Sequence, residues 1–228
     1  MGRATSTQPD PEVVRTSFRG FRAALYDRFT TGVSRQYRAA AVARLALRPG
    51  DTVIDLGCGS GLSLPLLMDA VGPGGRVIGV DASPHMLARA RRRVEAAGWR
   101  NVELTEAFAQ DFQPQQPVDG ALACNVNQLI CSPEVVQSAV AWLSPGGRFV
   151  AAGSRRGPGL GGFLRALFLR VTIPFMQRER SAVRWILQER PWRELERALG
   201  PLEVEYFLNG AAFVACGTRR AAGETRAE

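Results

Sequence analysis

The stretch VIDLGCGSGLSLP, residues 53–65, decides the fold. An apolar run that ends in Asp55 is followed at once by three glycines at alternate positions, Gly57, Gly59 and Gly61. Glycine is costly inside regular structure, and it is used where a backbone must turn sharply or approach a ligand closely. The stretch therefore predicts a buried strand that ends in a tight, ligand-binding loop.

The glycine spacing argues against two common nucleotide-binding loops. The dinucleotide fingerprint G-x-G-x-x-G would place its third glycine at position 62, where the chain has Leu62. No G-x-x-x-x-G-K-[ST] phosphate loop occurs in the sequence either. A carboxylate before the loop favours a ligand with positive groups, such as the sulfonium and ammonium of S-adenosylmethionine. Asp81 follows the next apolar run, where an acid can accept the two hydroxyls of a ribose.

Short apolar runs alternate with helical patterns along the rest of the chain, which predicts a parallel sheet with helices on both faces. Ser83, Pro84 and Gly98 are typical of a helix cap, a first helical turn and a helix end. Asn209-Gly210 predicts an antiparallel hairpin at the end of the sheet. The predicted strands are 51–56, 75–81, 101–107, 118–124 and 148–153, and the predicted helices are 62–71, 83–98 and 133–143.

The composition is that of one soluble α/β domain in a reducing compartment. The 228 residues contain no apolar run of the ~20 residues that span a bilayer, and the N-terminus lacks the apolar core of a signal peptide. Cys58, Cys124, Cys131 and Cys216 form no C-x-x-C pair and have no zinc-site spacing. We therefore expect a cytoplasmic protein without a metal site.

The net charge of +8 is concentrated in two segments, and every basic residue is arginine. Residues 1–50 carry nine arginines against three acids, and residues 155–190 carry eight against two, so each segment has a net charge of +6. Two interpretations stay open. The segments are solvated faces of a soluble protein, or they form a basic, apolar surface suited to anionic lipid.

Three motifs, LRPGDTVIDLGCGSGLSLP (47–65), GRVIGVDASPHMLARAR (75–91) and LSPGGRFVAAG (143–153), resemble those of class I S-adenosylmethionine-dependent methyltransferases. The chain is most similar to the ubiquinone/menaquinone-biosynthesis and bacterial phospholipid N-methyltransferase group of that class. The resemblance covers roughly residues 20–218. It implies a Rossmann-like α/β fold with a seven-stranded sheet in the order 3-2-1-4-5-7-6, an antiparallel last strand and helices on both faces.

The resemblance also implies a division of the chain. Residues 1–46 would form an N-terminal helical lid segment, and residues 47–218 the methyltransferase domain. Within that domain 155–190 would be a basic, apolar substrate-lid insertion, and residues 219–228 would be a flexible tail.

The implied activity is methyl transfer from S-adenosylmethionine to a small-molecule or lipid-like acceptor: an amine, a hydroxyl or a quinol. The open alternatives are an RNA methyltransferase, which the missing catalytic motifs of such enzymes disfavour, and a cofactor-binding homologue without catalysis. Contact with an anionic membrane surface at the inner membrane face is a further expectation.

The resemblance implies that Asp55, Gly57, Ser60 and Gly61 surround the methionine part of the cofactor and that Asp81 binds its ribose. Met86, Phe108 and Ala109 would lie at the adenine, and Asn125 near the transferring methyl. Gly59 and Ala82 are further implied cofactor contacts. Phe108 stands where the family usually has an acid, so either Phe108 stacks on the adenine or Asp111 supplies the acid. Tyr26 and Tyr37 are candidates for the acceptor site, together with Asn125. His85, the one histidine of the sequence, is expected on the surface rather than as a catalytic base.

Overall fold

A computed structural model of the chain describes residues 21–157 and 188–220, with the side chains of the first helix described from Ser34 onward. The helices are α1 (Phe21–Arg44), α2 (Leu64–Val71), α3 (Pro84–Ala97), α4 (Asn127–Ile130), α5 (Pro133–Trp142) and α6 (Arg193–Leu199). The strands are β1 (Thr52–Leu56), β2 (Arg76–Asp81), β3 (Val102–Glu106), β4 (Val118–Cys124), β5 (Leu143–Ser154), β6 (Glu203–Phe207) and β7 (Ala212–Thr218).

The strands form one seven-stranded sheet in the order β3-β2-β1-β4-β5-β7-β6. The first five pair in parallel, with Ile54 of β1 opposite Ile78 of β2 and Ala121 of β4. Strand β7 lies between β5 and β6 and is antiparallel to both. The predicted fold class and strand order are therefore confirmed.

Apolar side chains cover both faces of the sheet, as the near-continuous apolar runs of the parallel strands require. On one face β1 contributes Ile54 and Leu56, which pack in one core with residues of α5 and α6. On the other face Val53 packs in a second core with residues of α1 and α2. Since side chains alternate along a strand, Asp55 lies on the same face as Val53, the face that α1 covers.

The local signals read from the sequence are present in the structure. The Ser83 hydroxyl accepts a hydrogen bond from the Met86 N–H at 3.4 Å and so caps α3, and Gly98 ends that helix with φ of 68°. Asn209 and Gly210 both have positive φ between β6 and β7, as a tight hairpin turn with the twist of its strands requires.

The predicted start of the fifth strand at residue 148 was wrong, because β5 begins at Leu143. Leu143 pairs with Val118 of β4, and a shift of register follows before the main ladder begins. The Gly146 N–H donates to the Arg219 carbonyl at 2.8 Å, and the Arg219 N–H donates to the Gly147 carbonyl at 2.8 Å. The Pro-Gly-Gly segment at residues 145–147 therefore pairs with the backbone just beyond the end of β7. Its composition alone gives no indication of this pairing.

The C-terminal end of α1 is attached to the far edge of the sheet. Arg44 forms ion pairs with Glu203 at 2.6 Å and Glu205 at 3.1 Å, both on β6, and the Arg148 side chain donates to the Arg44 carbonyl at 3.1 Å. These pairs are exposed and contribute little each. Burial of the apolar stripe of α1 against the sheet is the larger stabilising effect.

Several sequence predictions fall on residues outside the described part of the chain. They concern residues 1–20, most of the 155–190 insertion and most of the 219–228 tail. In the described ranges, no helix combines the length and the apolar character that crossing a bilayer would need.

Candidate functional site

The loop after β1 needs its glycines for two physical reasons. Gly57, Gly59 and Gly61 have φ of 70°, 56° and 78°, in the left-handed region that side chains disfavour. A Cβ at Gly57 would also lie 2.5 Å from Val126 Cγ1, and one at Gly61 would lie 2.7 Å from Leu64 Cδ1. The alternate spacing therefore encodes a loop packed tightly against the two segments that flank it.

The backbone donors of this loop are directed at β2. The Gly57 and Cys58 N–H groups both donate to the Val80 carbonyl, at 2.7 and 3.0 Å, and the Gly59 N–H donates to Asp81 Oδ2 at 2.9 Å. A phosphate-binding loop instead leaves successive N–H groups available to an anion. The loop is therefore built for close approach of a ligand, and it is unsuited to cradling a pyrophosphate.

Asp81, at the end of β2, accepts hydrogen bonds from the glycine loop and from the residue that caps α3. Its Oδ2 accepts from Gly59, and its Oδ1 accepts from the Ser83 N–H at 2.8 Å. Burial raises the pKa of this carboxyl, and the two backbone hydrogen bonds oppose that rise. Each carboxylate oxygen has a further lone pair, so Asp81 can also accept two hydroxyl groups of a ligand.

Asp55 is a buried acid without a compensating hydrogen bond at one of its oxygens. The residue is 1% exposed, and Oδ2 has no partner. The pKa of Asp55 is raised to about 7. Burial is the largest cause of this rise, the Arg38 charge opposes it, and the nearby Asp81 charge adds to it. A cationic group of a ligand would stabilise the ionised form of such a carboxyl.

Helix α1 brings two neighbouring polar side chains to the ends of β1 and β4. The Tyr37 hydroxyl donates to Asn125 Oδ1 at 2.6 Å, while Asn125 itself has a positive φ of 63°. Arg38 is 6% exposed, and its charge acts on both Asp55 and Cys124. The structure thus brings together Tyr37 and Asn125, two of the three predicted acceptor-site residues.

Three polar side-chain atoms in the described part of the chain are buried without a hydrogen-bond partner, and all three belong to this corner: Arg38 Nε, Asp55 Oδ2 and Asn125 Nδ2. An orphaned buried polar group costs roughly 1–3 kcal/mol, so native proteins rarely keep one without a reason. Two donors and one acceptor match the carboxylate and the ammonium of an amino acid. The residues present therefore fit the methionine end of S-adenosylmethionine.

The remaining predicted cofactor residues lie along the loop and on the far side of Asp81. Ser60 and Met86 are buried, with Met86 Cε 3.7 Å from the position that a Cβ on Gly59 would occupy. Ala109 is buried, and Phe108 and Ala82 are partly buried. These placements agree with an adenine-side wall, while the contacts themselves stay predictions.

Three further candidates can be located. Asp111 is exposed, and its N–H donates to the Phe108 carbonyl at 3.0 Å, so the two alternative adenine contacts share one tight turn. His85 is exposed at the start of α3, as expected of a surface residue. Tyr26 belongs to α1, but its side chain lies outside the described part.

Sequence reasoning missed Arg38, which it counted only within a basic segment. A signal was present, because Arg38 occupies the same helical stripe as Ala41, Val42 and Leu45, three, four and seven residues on. All four residues are buried. A charged residue within an apolar stripe is rarely buried without a partner or a function.

The central part of the chain matches a family model and several known proteins. Residues 53–147 match the family model described as a methyltransferase domain. A demethylmenaquinone methyltransferase of Symbiobacterium thermophilum is 38% identical over 114 residues, which cover 48% of this chain and 45% of that protein. A phosphatidylethanolamine N-methyltransferase of Cereibacter sphaeroides is 37% identical over 122 residues, covering 53% and 58%. The chain spans about half the length of these curated relatives.

The fold is shared with solved structures. An S-adenosylmethionine-dependent methyltransferase from Aquifex aeolicus aligns with a TM-score of 0.63 at 17% identity, covering 92% of this chain and 99% of that one. The strand order of the sheet agrees with that fold. The chain therefore has the fold of this solved structure, and its residues 53–147 match the family model described as a methyltransferase domain.

Proposed function

We propose that the chain is an S-adenosylmethionine-dependent methyltransferase that methylates a small-molecule or lipid-like acceptor by in-line displacement. The observation that carries this proposal is the glycine loop held between Asp55 and Asp81, with its N–H groups turned to β2. S-adenosylmethionine, when bound there, supplies a methyl group that is already activated for transfer.

Each part of the site has a distinct proposed task. Asp55 binds the ammonium group, and Asp81 accepts the ribose hydroxyls while it fixes the loop through Gly59. The glycines allow the loop backbone to approach the ligand without side-chain overlap. Met86 and Phe108 border the adenine. This division of tasks explains why the chain keeps the two acids close together although the Asp81 charge raises the pKa of the buried Asp55.

The acceptor side offers groups that position rather than groups that take a proton. Tyr37 and Asn125 are joined by their 2.6 Å hydrogen bond beside the end of β4. The neighbouring Cys124 thiol has a pKa raised to about 11 by burial, so it stays protonated at neutral pH. A site of this kind suits an acceptor that is already nucleophilic, for which alignment and exclusion of water supply much of the rate.

The lipid-like part of the proposal rests on charge and on relatives. Residues 1–50 and 155–190 each carry a net charge of +6, and the second segment interleaves arginine with leucine and phenylalanine. Such composition suits an anionic lipid surface, with apolar residues entering the interface. The names of the two curated relatives, a menaquinone-precursor and a phospholipid methyltransferase, agree with an acceptor of this class.

The activity is tested with methyl-labelled S-adenosylmethionine against four separate pools: a total lipid extract with quinols, aqueous metabolites, total RNA and total protein. We expect label in the lipid or the metabolite pool with the wild-type chain, and none with Asp81→Ala. Label confined to RNA or protein would contradict the proposed acceptor class. A folded chain that binds the cofactor but labels no pool would favour the non-catalytic alternative.

Membrane contact is tested separately by flotation with vesicles of phosphatidylcholine alone or with phosphatidylglycerol. The proposal predicts flotation only with the anionic vesicles and release as salt rises above about 0.15 M, because exposed charges are then screened. Flotation that is equal with both vesicle types, or absent with both, would count against a basic lipid-contacting surface.

A further inference from the structure

Arg38 is a buried charged residue of the site, and the tasks proposed above for Asp55, Asp81 and the glycine loop do not account for its burial. It lies within the apolar stripe of α1, yet its guanidinium carries a charge, and Nε has no hydrogen-bond partner. Placing such a group out of water is costly unless an anion and further hydrogen bonds compensate for it.

The anions of the chain compensate for Arg38 only in part. Asp55 is near enough for the Arg38 charge to lower its pKa, but the net pKa of Asp55 still rises to about 7. Asp55 Oδ2 also has no partner. An ion pair that satisfied both groups would leave neither Nε nor Oδ2 orphaned. The arrangement therefore retains an unpaired donor on Arg38 and an unpaired acceptor on Asp55, two groups near enough to interact electrostatically.

We propose that Arg38 binds the carboxylate of the amino-acid end of S-adenosylmethionine, opposite Asp55, so that α1 forms one wall of the cofactor site. Asn125 Nδ2, the third orphaned atom, supplies a second donor to the same end. Its Oδ1 is held by Tyr37, which fixes the amide with the N–H side available. The inference rests on the proposed use of S-adenosylmethionine and assigns a residue that the family motifs do not cover.

The test compares two ligands that differ in one group, S-adenosylmethionine and decarboxylated S-adenosylmethionine, by calorimetric titration. The wild-type chain should prefer the complete cofactor by at least about tenfold, the effect of losing one charge-assisted hydrogen bond. Arg38→Gln should bind both ligands with nearly equal affinity. Asp55→Asn should weaken both ligands and keep the preference, because it removes the partner of the ammonium.

Two further variants distinguish a specific contact of the Arg38 guanidinium from a general effect of positive charge and from a general effect of changing α1. Arg38→Lys keeps the charge without the guanidinium geometry and should lose most of the preference. Arg44→Gln changes an exposed arginine on the same helix and should leave both affinities unchanged. Should Arg38→Gln fail to fold, the wild-type and Arg38→Lys ratios still decide the matter.

The remaining outcomes overturn the assignment. A wild-type preference that survives in Arg38→Gln would exclude a direct contact of Arg38 with the carboxylate. A preference that survives in full in Arg38→Lys would exclude a contact that depends on the guanidinium group. Equal binding of both ligands by the wild-type chain would exclude any carboxylate site. A folded wild-type chain that binds neither ligand would refute the cofactor assignment itself, which is a different result from a lost preference.

Discussion

The Tyr37 hydroxyl donates a 2.6 Å hydrogen bond to Asn125 Oδ1, across 88 residues of sequence. Tyr37 is 2% exposed, so this bond is formed away from bulk water. It connects α1 to the first residue after β4, where the backbone of Asn125 is held at a positive φ. The bond thereby joins the N-terminal helix to the carboxyl end of β4, where the methyl group is proposed to be transferred.

A double-mutant cycle measures this connection. Tyr37→Phe removes the donor and Asn125→Ala the acceptor, so each single change should lower the free energy of unfolding by about 1 kcal/mol or more. The double variant should cost less than the sum of the two, with a coupling energy of about 0.5–3 kcal/mol. Denaturant unfolding of the four proteins checks this. Additive effects would mean that the bond does not hold α1 in place.

The pH dependence of stability is expected to carry the signature of Asp55. Its folded pKa of about 7 lies above the ordinary value of 3.8, so the folded chain binds this proton more tightly than the unfolded chain. The stabilisation it gives is therefore complete at low pH and is lost as pH rises through about 7. Asp55→Asn has no such proton, and its stability relative to the wild type should rise by about 1.4 kcal/mol between pH 6 and pH 8.

Thermal unfolding of the cofactor-free proteins at the two pH values is sufficient to measure this effect. A change of that size shifts Tm by a few degrees in a chain of about this length. A stability difference between Asp55→Asn and the wild type that is the same at both pH values would show that the Asp55 carboxyl keeps an ordinary pKa.

Cofactor affinity should change with pH in the opposite sense. The ammonium group of S-adenosylmethionine pairs with ionised Asp55, so binding should strengthen by about fivefold from pH 6 to pH 7, below the range in which an α-ammonium group loses its own proton. The same titration on Asp55→Asn should give a weak and nearly pH-independent affinity. A wild-type affinity that does not depend on pH would show that Asp55 does not bind the ammonium group.

The glycine loop gives a prediction with a matched control. Gly57→Ala places a Cβ 2.5 Å from Val126 Cγ1 at φ of 70°, while Gly50→Ala places one at φ of 99° with no atom within 4 Å. Both changes carry backbone strain of about 1 kcal/mol, but only the first adds overlap in a packed region, for roughly 1–3 kcal/mol more. Equal losses of unfolding free energy in the two variants would indicate that the loop packs more loosely than the structure has it.

The sequence was sufficient to predict the sheet and the cofactor loop because both depend on local patterns. Alternating strands and helices, the caps at Ser83 and Gly98 and the Asn209-Gly210 turn each follow from a few adjacent residues. The start of β5 depends on a partner more than seventy residues away, at Arg219, and no local pattern reports it.

The acceptor end of the site was predicted only in part. Tyr37 and Asn125 were proposed separately, and their hydrogen bond required the structure. Arg38 was hidden because arginine is common in this chain, and its burial results from the packing of α1 on the sheet rather than from its neighbours in sequence.

Calorimetric titration of the chain with S-adenosylmethionine, repeated with Asp81→Ala, tests the central claim most directly. Asp81 fixes the loop through Gly59 and is proposed to accept the ribose hydroxyls. We expect one cofactor bound per wild-type chain and an affinity at least about tenfold weaker in the folded variant, since two charge-assisted hydrogen bonds are lost. A folded wild-type chain that binds no S-adenosylmethionine, or an Asp81→Ala variant of unchanged affinity, would contradict the account.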